Sequence, residues 1–229
     1  DGIRDKLVTG VQTCALPIFL PAALASPKFW PSFTQAWVLG WNTELVKNPP
    51  RNWMDLTKPE YGDGKIGQVI GPSGGTTWTR IMFERQVLGE EYWARQAATK
   101  PRLFPSAAPL ADSLVRGEVQ VAPLTYSIIP QKKRDGAPIT SIFGPEGVPV
   151  VPLAAGISKT AANPNAARLF LNWLLSPEGQ GYVMREQGSV SSLKTWPVAL
   201  PGFDPAVNKL WLPEFKPFQE LLKSWMEEW

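Results

Sequence analysis

The sequence contains no histidine and a single cysteine, Cys14, among 229 residues. Without an imidazole, general-base catalysis and transition-metal binding lose their commonest side chain, and one thiol supports neither an internal disulfide nor a cysteine-rich zinc site. Long apolar runs are also missing: no stretch approaches the roughly 20 residues needed to span a bilayer. An excess of either charge is missing too: 23 Lys and Arg stand against 20 Asp and Glu, a net charge of only +3. The single basic run, Lys132-Lys133-Arg134, reads as a solvated loop ahead of Asp135-Gly136, so no nucleic-acid partner is expected. What the chain does hold is 44% hydrophobic residues, enough to bury one or two cores.

Those residues are patterned as alternating strands and helices. Lys65 to Ile70, bounded by Gly64 and Gly71, predicts a strand. Thr76 to Leu88 carries Trp78, Ile81, Met82 and Leu88 at helical spacing, with Gly89 placed to end it. Glu90-Glu91 suits the positive end of a second helix. Leu110 to Arg116 predicts a helix stopped by Gly117, followed by a strand over Glu118 to Leu124. Ile139 to Phe143 and Val148 to Leu153 are further strands, the latter pushed toward an edge or a crossover by Pro149 and Pro152. Asn163 with Pro164, then Ser176 with Pro177, predict two successive helix starts. Ala166, Leu169, Phe170, Trp173 and Leu174 draw one apolar stripe, which predicts a packed helix. Together these elements imply an α/β fold with a mostly parallel sheet.

Chemistry concentrates in Ser73-Gly74-Gly75-Thr76-Thr77, which follows a strand and opens a helix. The first helical turn leaves backbone N–H groups unpaired, and glycines let a ligand reach them, so an anion is the natural guest. The same residues would serve equally as an ordinary helix cap. Tyr126, with Thr125 beside it, follows a strand and is expected at the same strand ends. Trp78 either offers a ring to a cation or packs in the core. Among the C-terminal tryptophans Trp196, Trp211, Trp225 and Trp229, packing is expected rather than sugar stacking. Gly71-Pro72-Ser73-Gly74-Gly75 also fits the nucleophile elbow of an α/β-hydrolase, with Ser73 as nucleophile, but that chemistry needs a histidine base and the chain has none.

The wording of Asn163 to Gly181, NPNAARLFLNWLLSPEGQG, resembles the C-terminal part of bacterial extracellular solute-binding proteins, the ligand-capturing subunits of ABC importers. Further landmarks in the same order are LGWNTELVK (39–47), DLTKPEYGDGKIGQV (55–69), GPSGGTTWT (71–79), LVRGEVQVA (114–122) and EGVPVVPLAAGISK (146–159). They are similar to the group containing ferric-ion, polyamine-type and phosphonate-type binding proteins. The resemblance runs from about Ser26 to the end of the chain.

It implies a periplasmic-binding-protein-like, two-lobed α/β fold with two interlobe crossovers and an incomplete first lobe. Residues 19–46 would hold a first-lobe remnant and the outgoing crossover, 47–146 the second lobe, and 147–229 the return crossover and the C-terminal part of the first lobe. Residues 1–18 are set apart. Arg4, Lys6, Cys14 to Leu20 and Ala23-Leu24-Ala25 imitate a secretory signal, but Val8 to Ile18 resembles a translated sequencing adapter, and the first Met is Met54. The chain is therefore expected to be an N-terminally truncated fragment without its signal peptide.

The implied function is non-catalytic capture of a small polar solute, an organic anion of the phosphonate or carboxylate type, for delivery to an ABC permease. Ser73, Gly74, Gly75, Thr76 and Tyr126 would form the second-lobe half of the pocket, with no metal and no cofactor. In ferric-ion binders of this group two adjacent tyrosines ligate the metal; here the stretch is Tyr126-Ser127-Ile128, so free iron is not the expected cargo. The expected setting is the periplasm, or the outer face of a single-membrane cell, as a monomer touching a membrane complex peripherally. A ligand-sensing effector domain of a transcription regulator, which shares the lobe architecture, is the other binding-module reading.

Overall fold

The computed structural model describes residues 29–70, 75–191, 200–204 and 206–213. They fall into two compact units, one holding the described residues of 1–35 and 152–201, the other those of 36–151 and 202–229.

Strand β1, Trp30–Asn42, is the longest element and belongs to both units. Its residues beyond Gln35 are almost wholly buried. There it pairs antiparallel with β4, Val121–Thr125, and with β5, Ile139–Ile142. Its earlier residues Phe33 and Thr34 pair antiparallel with β7, Val190–Ser191. Strand β6, Val148–Ala155, likewise begins in one unit and ends in the other, between β1 and β8, Leu210–Trp211. It is thus the crossover expected from Pro149 and Pro152, in an interior position of the sheet and not at an edge. The sheet is mixed, where the sequence implied mostly parallel pairing. Parallel contacts join β6 with β8, β2 (Gly67–Val69) with β3 (Arg102–Phe104), and Ile66 with Val121. The reversal comes from β1, which runs against three of its neighbours.

In the larger unit the helices are α1 (Gly75–Phe83), α2 (Glu90–Ala98), α3 (Ala107–Val115) and α4 (Ile128–Arg134). The apolar period of α1 continues through a wider π turn over Glu84–Leu88, and Gly89, at φ 83°, ends it where a side chain would be strained. Gly67 is glycine because β2 lies flat on α3, where a Cβ would collide with Leu110. Trp37, Leu39, Trp53, Leu56, Ile66, Phe83, Tyr92 and Val121 form the main core. Asn42 fastens the end of β1: its carbonyl oxygen accepts the N–H groups of Glu44 and Leu45 at 3.0 and 3.3 Å, and its amide donates to the Leu114 carbonyl at 3.0 Å. The Lys132-Lys133-Arg134 run occupies the last turn of α4, not a loop. Cations are favoured there by the helix dipole, and Lys132 pairs with Asp112 at 2.5 Å.

The smaller unit carries α5 (Pro164–Leu174) and α6 (Pro177–Gln187). Ser176 caps α6 by accepting the Gly179 N–H at 3.2 Å, but the Asn163 side chain makes no capping bond to α5. The packed stripe expected on α5 is also corrected. Leu171 and Leu174 are buried with Val183, against Trp30 and Phe33, whereas Leu169 and Phe170 are 73% and 58% exposed. The helix turns only a narrow edge of its apolar side to the strands. Beneath it, buried Gln180 donates to the carbonyls of Ser32 and Leu174 at 2.6 and 2.8 Å and accepts from Ser191 Oγ at 3.0 Å.

Candidate functional site

The candidate cradle sits where β2 gives way to α1. Ser73 and Gly74 lie outside the described residues. Gly75 is exposed, and nothing approaches within 4 Å of where a Cβ would stand; Thr76 is half-buried. Thr79 Oγ1 donates to the Gly75 carbonyl at 3.1 Å, which fixes the hydroxyl inside the helix and away from the first-turn N–H groups. Trp78 is buried with Ile81 and Met82, in its core role.

Tyr126 follows β4 directly. Its N–H donates to the Ala36 carbonyl at 2.7 Å, and its ring stacks on Phe143 with centroids 5.2 Å apart. Burial pushes its phenol above the usual range, so it stays a protonated hydroxyl at neutral pH and can act as a hydrogen-bond donor. Ser127 Oγ donates to Thr125 Oγ1 at 3.4 Å.

Trp37, which the sequence places on the outgoing crossover and not in the pocket, stands between these two groups. It pairs with Thr125 in the β1–β4 ladder, and its indole N–H donates to the Thr76 carbonyl at 3.1 Å. The Arg80 guanidinium lies 5.5 Å from the centroid of the same indole. Arg80 in turn donates to the Val69 carbonyl at the end of β2, at 3.2 Å, and pairs with Glu84 at 2.5 Å; both charged side chains are essentially inaccessible. Burial raises the Glu84 carboxyl while the Arg80 charge pulls it back down. Tyr92, fully buried, is pushed well above the ordinary phenol range by desolvation and then by the Glu84 charge. Strand-end residues of β2 and β4 and the first turn of α1 are therefore connected through one tryptophan and one arginine, all within the larger unit. The only sequence signal for this was Arg80, a charge among the apolar positions of α1.

Among the described residues no group of three or more His, Cys, Asp or Glu side chains is placed to hold a metal ion. None of their helices is long and apolar enough to cross a membrane.

Residues 23–188 match the family model for bacterial extracellular solute-binding proteins, and the chain belongs to that family. It is 28% identical over 207 residues to an uncharacterized protein of Haemophilus influenzae, covering 82% of this chain and 59% of that relative's length. The solved structure of the periplasmic binding protein P5PA matches with a TM-score of 0.71 at 26% identity, over 88% of this chain and 69% of that one. AfuA from Actinobacillus pleuropneumoniae, solved with exogenous fructose-6-phosphate bound, matches with a TM-score of 0.70 at 25% identity, over 87% and 68% of the two chains. Iron-bound HitA from Pseudomonas aeruginosa shares the fold, with a TM-score of 0.64 at 19% identity over 95% and 78%.

Proposed function

We propose that this chain is the substrate-binding component of an ABC importer, working outside the cytoplasmic membrane, which captures a small organic anion and hands it to a membrane permease without transforming it. The observation that carries the ligand class is the open first turn of α1. Gly75 leaves that turn unobstructed, and the N-terminal amides of a nine-residue helix favour negative charge. Ser73, Gly74, Gly75 and Thr76 are the proposed amide and hydroxyl donors, and Tyr126 a neutral donor at the neighbouring strand end. AfuA's fructose-6-phosphate supports a phosphate ester, alongside phosphonates and carboxylates, as the class to try first.

Calorimetric titration tests this reading with fructose 6-phosphate, inorganic phosphate, a dicarboxylate, spermidine and ferric citrate. Weak but saturable binding of the phosphate compounds, absent for spermidine, is the expected result; binding of the amine alone would overturn it. Gly75→Val fills the open space and should weaken the anion about tenfold or more, with a stability change below about 1 kcal/mol because the position is exposed at a helix start.

A further inference from the structure

We propose that Trp37 is a positioning residue that ties the strand crossing between the two units to the ligand cradle. The inference rests on the reading that a ligand is held at the first turn of α1. Trp37 is the second residue of the larger unit after the division at Gln35, so it lies on β1 directly beside the point where the strand passes from one unit to the other. Its indole N–H reaches the carbonyl of Thr76, 39 residues away, inside the first turn of α1. That carbonyl is also the acceptor for the Arg80 amide one turn on, as the helical period requires. One oxygen therefore takes two donors, one from the helix and one from the crossing strand.

The ring cannot drift from this position. Trp37 is 1% exposed, Thr125 is its partner across the β4 ladder, and the Arg80 guanidinium lies over the indole while Glu84 and the Val69 carbonyl hold that guanidinium in place. A rigid indole with its one donor committed to a first-turn carbonyl fixes the direction in which that turn's N–H groups point. Shifting the strand pulls on the turn, and a guest gripped by the turn resists the shift.

Trp37→Phe keeps a buried aromatic ring under Arg80 while removing the donor and part of the ring's volume, and the amides of α2 report whether the lost volume alone matters. The experiment is residue-resolved amide hydrogen exchange on the ligand-free protein, followed by titration of wild type and variant with inorganic phosphate. Losing one hydrogen bond of ordinary strength should speed exchange at Thr79 and Arg80, whose acceptors lie in the first turn, about fivefold to tenfold. Amides of α2 should keep their protection, and phosphate affinity should fall by at least the same factor. Unchanged exchange at Thr79 and Arg80 overturns the proposal, as does uniform loss of protection that includes α2, which would mark a merely structural tryptophan. Faster exchange in the first turn with unaltered phosphate affinity also overturns it. If wild type binds no anion, the proposed function fails on its own account, and the exchange measurement still decides whether Trp37 holds the turn.

Discussion

Arg80 and Glu84 show how much a single pair of residues can be asked to do in a dry interior. An ion pair with both members inaccessible gives up its hydration, so its net worth is small, yet either member alone would be an uncompensated buried charge. Arg80→Met and Glu84→Leu are each expected to lower unfolding free energy by about 3–5 kcal/mol. The double variant should lose distinctly less than the sum, as read by urea denaturation in a double-mutant cycle. Burial raises the Glu84 carboxyl, so the folded protein holds that proton more tightly than the unfolded chain and loses stability as pH climbs above the usual carboxylate range; Glu84→Leu should abolish that loss. Trp37, resting against the same guanidinium, links this pair to Thr76 and so to the proposed ligand site.

At the scale of elements, two helices that open with the same sequence device end up held differently. The Ser176 hydroxyl accepts from Gly179 N–H and donates to the Trp173 carbonyl at 2.6 Å, while the Asn163 side chain caps nothing. Ser176→Ala should therefore cost about 1 kcal/mol and Asn163→Ala less than about 0.5 kcal/mol, measured by thermal unfolding. The contrast marks what can be read from sequence here. Local signals placed α1, α2, α3, α5 and α6 and the strands β2, β4, β5 and β6, because periodicity, prolines and stop glycines act within a few residues. The 13-residue β1 was not apparent: Pro31 and Gly40 interrupt its pattern, and its pairing partners lie between about 80 and 160 residues away. In the candidate site Gly75, Thr76 and Tyr126 could be named from local grammar. Trp37 could not, because its role is a bond between segments that only the folded chain brings together.

At the scale of the whole molecule, the smaller unit presents an apolar surface made by Leu169 and Phe170, with Trp173 and Tyr182 in ring contact beside them. Exposed apolar groups that are contiguous favour association. The monomer expected from the family resemblance should therefore self-associate weakly as its concentration rises, and Leu169→Lys combined with Phe170→Gln should suppress this in size-exclusion chromatography with light scattering. Each change should cost under about 0.5 kcal/mol, since neither side chain is buried. The Gln180 amide has a different consequence. It clasps Ser32, 148 residues earlier in the chain, so the smaller unit is a frame of two chain pieces with residues 36–151 of the larger unit between them in sequence. On the ribosome the opening of that frame must wait, unmated, until the entire insert has been synthesised. Chaperone dependence during translation should therefore centre on the segment around Ser32, and a circular permutant joining the two pieces of the frame in sequence would relieve it.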